Sequence, residues 1–394
     1  MRGVAKTRNV REKSHGTKEG DGRQRRGHHE DADDLHGARP WPPAVDRGCF
    51  AAGDRDARLF QIAGGDREAL SELIRRRRQM LGDPGVRVVS CYEAGRDGFW
   101  LHRWLRDQDI DNRVLDPASL EAPRRWRRVK TDRVDTLGLL RVLLRLERGE
   151  TEMTRVIWVP APAIEDARRH TRERERLVSE RTAHRNRIQG LLAAQGVTAI
   201  KVGTRDWLDR LAVACTGDGR TLGVALLAEI RREAERLALV EHQIKEVEAA
   251  QHAALKADTA LAATACKLKR LRGLGEVFAS GLTHEAFWRD FGNRRQVGGA
   301  FGLTPWPWDS GDMHSDQPIS KVGNRRARTM AIECAWMWTL HQPGSALTRW
   351  WQKRFAGGGR RVRRIGIVAL ARKLMVALWR YLKENLIPEG AVLA

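Results

Sequence analysis

The stretch Lys130-Thr131-Asp132-Arg133-Val134-Asp135, followed by Thr136-Leu137-Gly138-Leu139-Leu140-Arg141-Val142-Leu143-Leu144, is the part of the sequence that most constrains the fold. Its apolar residues recur at positions 134, 137, 140, 143 and 144, a spacing that predicts a helix. If Thr131 or Asp132 caps this helix, Asp132 and Asp135 lie on one face. On spacing alone, acids that complement the helix dipole are the more ordinary interpretation, and a divalent-cation site is the alternative.

Length and charge restrict the class of protein. The chain has 394 residues, a formal charge of +22 and a pI of about 10.8, which indicates two or three domains and a polyanionic partner such as nucleic acid. The five cysteines form no Cys-x-x-Cys pair, which argues against a zinc ribbon and a secreted disulfide scaffold. Because no apolar run approaches the length of a membrane span and no signal-peptide pattern opens the chain, we expect a cytoplasmic protein.

The first part of the chain differs from the rest in composition. Residues 1–56 are rich in Arg, Gly, His and Asp and show no helical or strand period. We expect this segment to be disordered or to come from a shifted reading frame, and residues 1 to about 50 to pack against nothing.

Strand and helix patterns alternate between positions 57 and 159. Strands are expected at 59–62, 86–92 and 112–116, with helices at 66–81 and 99–106, so this region predicts an α/β domain. Glu93 directly follows the second of these strands, and such sheets place ligands at the carboxyl ends of their strands. An acid and an acid pair therefore fall in one domain.

Two long helical patterns follow the linker Val159-Pro160-Ala161-Pro162, at 163–195 and at 222–256. The second carries an apolar stripe close to heptad spacing: Leu226, Ile230, Leu237, Val240, Ile244 and Val247. We expect residues 160–262 to form a helical spacer, either as a helical hairpin or as a coiled coil between two subunits. A solvated spacer and a nucleic-acid-clamping arm are equally good interpretations.

The C-terminal region, 263–394, is expected to be mainly helical and contains two candidate binding segments. The turn Arg272-Gly273-Leu274-Gly275 is similar to the hairpin of helix-hairpin-helix elements, so Arg272, Gly273 and Gly275 are candidate phosphate contacts. Ser310 lies in a turn-prone loop ahead of a basic segment, whose candidate nucleic-acid contacts are Lys321, Asn324, Arg325 and Arg328. A serine nucleophile needs such cations nearby, although Ser-Gly is more often only a turn.

Taken together, these segments resemble the insertion-sequence 110 family of transposases, including its 1111 branch. The resemblance runs from about position 86 to 390. Its motifs are Tyr92-Glu93-Ala94-Gly95 with Gly98-Phe99, Lys130-Thr131-Asp132-Arg133-Val134-Asp135, Arg272-Gly273-Leu274-Gly275, Gly302-Leu303-Thr304-Pro305, Ser310-Gly311, and Ile319-Ser320-Lys321-Val322-Gly323-Asn324 with Arg328. Each motif is weak alone, and their order and spacing make the combination specific.

The resemblance implies a RuvC-like, ribonuclease-H-type domain with a DEDD set of acids, a coiled-coil spacer and a C-terminal domain with an essential serine. It further implies Mg²⁺ and a structured guide RNA that pairs with donor and target DNA. Carried over by position, Glu93, Asp132 and Asp135 are three of the four acids and metal ligands, and Ser310 is the serine. The family's first acid lies on a strand, whereas the sequence around Asp46 is Pro-rich and turn-like.

The resemblance therefore implies a DNA recombinase that forms a covalent serine–DNA intermediate and acts as a homo-oligomer. The alternatives are a RuvC-like junction-resolving endonuclease, in which water attacks, and a decayed element that only binds DNA or RNA. We expect Ser310 to lie far from Glu93, Asp132 and Asp135 within one chain, with the site completed between subunits.

Overall fold

The computed structural model describes residues 45–50, 58–83, 85–95, 98–120, 132–150, 154–310 and 313–394. Among them, the residues up to Gly85 form one compact unit and those from Val86 onward form a second. Within the described part of the chain, no helix is long and apolar enough to cross a membrane.

The first unit contains a two-stranded sheet and a helix. Strand β1 (Val45–Phe50) pairs antiparallel with β2 (Arg58–Ala63). Helix α1 (Arg67–Met80) follows, and the Asp66 carboxylate caps it by accepting a hydrogen bond from the Ala69 backbone N–H at 2.9 Å. Strand β2 and helix α1 confirm the predictions for 59–62 and 66–81.

Strand β1 corrects one expectation. The sequence predicts no order up to about position 50, yet the backbone of Asp46 is paired with that of Ile62. Gly48 and the charged neighbours Asp46 and Arg47 hide the period-2 signal of this strand from sequence alone. Residues 1–44 lie outside the described part of the chain.

The second unit begins with a parallel strand pair joined by a helix. Strand β3 (Val89–Glu93), helix α2 (Trp100–Asp107) and strand β4 (Asp111–Leu115) form this βαβ arrangement. Glu93 is directly opposite Leu115, and Leu115 makes an isolated antiparallel bridge to Val156. The predicted strand–helix–strand order is confirmed, with each boundary shifted by one to three residues. The described strands form a mixed α/β structure, and a complete ribonuclease-H-type sheet stays a prediction.

Helix α3 (Asp132–Glu147) packs against β3 and confirms the predicted helix. After it, α4 (Pro162–Ala193) and α6 (Val224–Ala254) form an antiparallel helical hairpin, closed at one end by a segment that contains α5 (Trp207–Ala212). Both long helices confirm the predicted ones. Of the two arrangements expected for the spacer, the structure has the hairpin within one chain.

The hairpin uses the apolar stripe that was expected to join two subunits. Ile230, Leu237, Val240 and Ile244 are between 0% and 6% exposed. They pack in clusters with α4 residues such as Ile188 and Leu177. The expectation that this stripe forms the dimer contact is therefore wrong, because its surface is already buried inside the monomer.

The C-terminal part is a helical bundle with one β-hairpin. Its helices are α7 (Ala260–Lys269), α8 (Glu276–Leu282), α9 (Arg294–Phe301), α10 (Arg325–His341), α11 (Ala346–Trp351) and α12 (Arg360–Glu384), and they share one apolar core. Strands β5 (Pro305–Ser310) and β6 (Met313–Ile319) form the hairpin between α9 and α10. The sequence predicted a turn-prone loop around Ser310. Pro305 and Pro307 disfavour strands, but a two-stranded hairpin tolerates Pro at its edges.

Candidate functional site

Two contacts fix the direction of α3 against β3. Glu147, at the end of α3, accepts a hydrogen bond of 2.9 Å from Arg87, which precedes β3. Cys91, in the middle of β3, donates its thiol to the Leu139 carbonyl at 3.6 Å. Helix α3 therefore runs antiparallel to β3, and its first turn, which contains Asp135, points toward the carboxyl end of the strand.

This direction brings two predicted acids to the same level. Glu93 lies two residues beyond Cys91, a rise of ~6.6 Å along a strand. Asp135 lies four residues before Leu139, a rise of ~6 Å along a helix. Asp135 is therefore level with Glu93, and both residues are exposed.

The third predicted acid is Asp132. Asp132 is one turn further out on α3, and its side chain lies outside the described part of the structure. Among the described side chains, no group of three His, Cys, Asp or Glu residues is arranged to hold a metal ion. The three-carboxylate cluster of Glu93, Asp132 and Asp135 stays a prediction.

Ser310 is the last residue of β5, where its backbone pairs with Met313 across the hairpin end. Its side chain lies outside the described part of the structure. At ~3.4 Å per residue, Ser310 is ~17 Å along β5 from Pro305 at the base.

Two glycine-containing motifs close the base of this hairpin. The Ser320 backbone N–H donates to the Thr304 carbonyl at 2.8 Å, and the Lys321 N–H donates to the Gly302 carbonyl at 3.2 Å. Gly323 has a φ of +106°, and a Cβ there would lie 2.6 Å from the Ala300 carbonyl oxygen. We call this base, residues 300–304 with 319–324, the clasp. The close approach of backbone atoms within the clasp explains why both motifs need glycine.

The basic residues in and next to the clasp differ in their surroundings. Arg328 donates to the Lys321 carbonyl at 2.9 Å and the Phe301 carbonyl at 3.4 Å, so its guanidinium helps hold the clasp together. Burial, with a further contribution from Arg325, lowers the pKa of Arg328. Lys321 and Arg325 are exposed. Their predicted contacts with nucleic acid stay predictions.

Asn324 has a structural role that sequence reasoning missed. Its Oδ1 caps α10 by accepting from the Arg326 and Ala327 backbone N–H groups at 3.0 and 3.2 Å. Its Nδ2 donates to Glu285 Oε2 at 2.7 Å. The side chain of Glu285 is 1% exposed, and Arg172 of α4 donates to its two oxygens at 2.7 and 3.0 Å. Glu285 therefore ties the helical hairpin to the clasp.

The charge state of Glu285 follows from these partners. Burial alone would raise the pKa of its carboxyl group, but the hydrogen bonds from Arg172 and Asn324 outweigh burial and hold the pKa below its ordinary value. Glu285 lies in the mainly apolar run 282–288. The sequence signals this structural role only by placing an acid in an apolar run, because its partners Arg172 and Asn324 are distant along the chain.

The turn at Arg272 is packed within the chain. The Arg272 backbone N–H donates to the Val392 carbonyl at 3.1 Å, and a Cβ on Gly273 would lie 2.8 Å from His341 Cβ. Gly275 precedes α8, a helix of seven residues whose first residue, Glu276, accepts from Lys269 at 3.1 Å. Packing accounts for Gly273, and the phosphate contacts of Arg272, Gly273 and Gly275 stay predictions.

The start of α12 presents a strongly basic surface. Six cations are exposed between positions 353 and 364 with no acid among them, and no ion pair within the described residues involves them: Lys353, Arg354, Arg360, Arg361, Arg363 and Arg364. A surface of this charge suits a polyanion, in agreement with the net charge of the chain.

Comparisons with known proteins define the class as a transposase. The model of the sequence family described as "Transposase IS116/IS110/IS902 family" matches residues 265–350, from α7 to α11. A "Putative transposase y4rJ" of Sinorhizobium fredii is 44% identical over 332 residues, 82% of this chain and 84% of the relative. A second, "Putative transposase y4qE" of the same organism, is 30% identical over 69% of this chain and 64% of the relative. A "Probable family 20 transposase" of Pseudomonas aeruginosa is 28% identical over 54% and 62%.

The extent of the first of these matches shows more than a shared motif. It spans most of both chains at high identity. The chain belongs to the IS110/IS116/IS902 family of transposases, which confirms the resemblance at that level.

Proposed function

We propose that this transposase cuts and rejoins DNA through a covalent serine–DNA intermediate at Ser310, with Glu93, Asp132 and Asp135 as Mg²⁺ ligands. The observation that carries the proposal is the direction of α3 against β3, which makes Asp135 level with Glu93 at the carboxyl end of the strand. Ligand sites of α/β sheets occupy that end.

The donor set suits the proposed metal. Carboxylate oxygens are the ligands that Mg²⁺ prefers, and Glu93 and Asp135 are exposed at the same level of the unit. When bound, Mg²⁺ stabilises negative charge on phosphoryl oxygens. The chain's own acids would hold and orient it, with Asp132 as the third ligand.

In the proposed chemical step, the Ser310 hydroxyl attacks the phosphorus of the DNA backbone. The hydroxyl loses its proton, an O–P bond to serine forms, and the bond between phosphorus and a deoxyribose oxygen breaks. That oxygen takes up a proton. The serine–phosphate ester keeps the energy of the broken bond, so the reverse attack by another strand's hydroxyl rejoins DNA.

The two halves of the site would meet between subunits. Ser310 lies at the far end of a hairpin whose base is fixed by the clasp, and the acids belong to another part of the chain. A homo-oligomer could bring one subunit's hairpin to another's acids. Because the α6 stripe is buried, the subunit contact must use another surface. A structured RNA remains part of this proposal, and the basic start of α12 supports a nucleic-acid partner.

The decayed-remnant alternative rests on the missing first acid of the family's set. A protein that only binds DNA or RNA would neither cleave DNA nor form an adduct. The endonuclease alternative differs in its nucleophile, since water would attack and no adduct would form.

A cleavage assay tests the proposed acids. Labelled DNA carrying an end of the element is incubated with Mg²⁺ and with wild type, Glu93→Gln or Asp135→Asn. We expect both variants to lose cleavage by a factor of roughly 100 or more, because loss of even an outer-shell partner of a metal ligand costs about 10- to 100-fold. Asp109→Asn is the control: Asp109 is exposed, precedes β4, and has a φ of 55° that Asn tolerates. Cleavage by Glu93→Gln at the wild-type rate would defeat the metal site.

A further inference from the structure

Three guanidinium groups are gathered between the α/β part and the C-terminal bundle. Arg155 donates its Nη1 to the Gly299 carbonyl of α9 at 3.1 Å. Arg168 of α4 is 8% exposed, and its Nε donates to the His284 carbonyl at 2.8 Å. Arg289 lies over the Phe291 ring, 4.6 Å from its centre. We call these three residues the arginine cluster.

The described acids next to this cluster are shared with other arginines. Burial first, and then the nearby charges of Arg155 and Arg168, lower the pKa of Arg289 to about 10. Glu285 and Glu165 both attract Arg168. Glu285 also accepts hydrogen bonds from Arg172, and Glu165 accepts one from Arg103.

In the part of the chain that the structure describes, the remaining donors of the cluster have no protein acceptor. Within the described residues, no hydrogen bond or ion pair holds the guanidinium of Arg289, and no carboxylate is hydrogen-bonded to Arg155 or Arg168. Like charges brought together at partial burial repel each other. An anion bound by all three guanidinium groups would stabilise the cluster.

The cluster lies beside the edge where the acids are expected. Leu115 pairs with Glu93 on one side and bridges to Val156 on the other. Arg155 adjoins Val156, so its backbone is two strand spacings from Glu93, about 10 Å. On its other side, Arg155 contacts Gly299, next to Ala300 of the clasp. The cluster thus lies between the acidic edge and the base of the Ser310 hairpin.

We propose that Arg155, Arg168 and Arg289 bind a phosphate of a nucleic-acid backbone and hold it next to the acidic edge. Guanidinium groups bind phosphate through paired, charge-assisted hydrogen bonds, and no described residue occupies the donors of Arg289. A phosphate bound there would lie roughly one to two nucleotides from the expected metal site. It would therefore be a neighbour of the phosphate that reacts. The choice of nucleic acid over a small anion rests on the proposed function.

The test uses Arg289→Gln in the full-length protein, because none of the described residues is hydrogen-bonded to the Arg289 side chain. Binding is measured by fluorescence anisotropy against salt, with a labelled DNA duplex in one arm and a labelled RNA hairpin in the other. We expect the affinity to fall by roughly 10-fold, as for a lost charged hydrogen bond, and the slope of log K against log salt to fall by about 1. Loss in the duplex arm assigns the phosphate to DNA, and loss in the RNA arm assigns it to RNA.

The matched control is Arg220→Gln, which also removes one positive charge. Arg220 is exposed at the closed end of the helical hairpin, near the start of α6, and α4 separates this end from Arg168 by about 37 Å. We expect its affinity and slope to equal those of wild type. An equal loss in both variants would show a general charge effect and overturn the site, as would an Arg289→Gln affinity within twofold of wild type in both arms.

Arg289→Lys separates binding from packing. Lysine keeps the charge and the contact with the Phe291 ring but not the paired donors. We expect it to keep the melting temperature and the salt slope while binding several-fold more weakly. Wild-type affinity in Arg289→Lys, with a lowered melting temperature in Arg289→Gln, would show a packing role and contradict the proposal. If substitution of Arg289 weakens nucleic-acid binding but the wild-type protein forms no covalent adduct with DNA, the proposed function is wrong and the phosphate site still stands.

Discussion

Arg172 and Glu285 form a bidentate ion pair, with N–O distances of 2.7 and 3.0 Å, across the boundary between the helical hairpin and the C-terminal bundle. Asn324 shares the same carboxylate and also caps α10. One buried acid therefore fixes the orientation of α4 and one side of the clasp from which the Ser310 hairpin extends.

Glu285→Gln should destabilise the protein by about 2 kcal/mol, because a neutral amide cannot pair with Arg172 and leaves Nε or Nη2 without its acceptor. Urea unfolding followed by circular dichroism measures this. Glu175→Gln is the matched control, since Glu175 pairs with Arg326 at the surface. Its effect should stay below about 0.5 kcal/mol. Equal effects for the two variants would contradict a structural role for Glu285.

The same pair predicts a pH dependence. The pKa of Glu285 in the folded protein lies below its ordinary value of 4.5, so its contribution to stability is fully present above that value and is lost as pH falls through the folded-state pKa. The difference in unfolding free energy between wild type and Glu285→Gln should be constant at neutral pH and shrink below pH 4.5. A difference that grows on acidification would contradict the sign of this shift.

Gly323→Ala tests the clasp. The φ of +106° disfavours any residue with a Cβ, and the added carbon would lie 2.6 Å from the Ala300 carbonyl. We expect a loss of about 1–3 kcal/mol in stability and a loss of DNA cleavage, since the hairpin base must shift. Gly299→Ala is the control, because a Cβ there meets nothing within 4 Å. Normal cleavage by a destabilised Gly323→Ala protein would show that the clasp does not position the hairpin.

Ile230→Ala tests the helical hairpin. Ile230 is fully buried, and its truncation should cost about 2–5 kcal/mol in unfolding free energy. Leu239 of the same helix is 58% exposed, so Leu239→Ala should be nearly neutral. Size-exclusion chromatography should show the same oligomer in both. If Ile230→Ala dissociates subunits without loss of stability, the stripe joins subunits after all.

The sequence predicts the long elements well for a physical reason. The apolar period of α6 and the caps and breakers around α1 are local signals, so these elements need no tertiary information. Strand β5 escapes prediction because Pro305 and Pro307 oppose a strand, and only pairing with β6 settles it. The periodicity of the α6 stripe likewise does not encode whether the stripe packs against α4 of the same chain or against another subunit.

The residues of the candidate site likewise divide into those that local sequence signals reveal and those that they do not. Glu93 and Asp135 are recognisable because a strand end and a helix start are local features. Glu285 and Arg289 are not, since their roles come from Arg172, Arg155 and other residues more than a hundred positions away.

Trapping the protein–DNA adduct tests the central claim most directly. Labelled DNA is reacted with Mg²⁺ and protein, stopped in denaturant and separated on a denaturing gel, with Ser310→Ala beside wild type and Ser315→Ala of β6 as the control. The account predicts label migrating with the protein for wild type and Ser315→Ala. It predicts none for Ser310→Ala, which should still bind DNA with wild-type affinity. A labelled adduct, or normal cleavage and rejoining, with Ser310→Ala would contradict the serine mechanism.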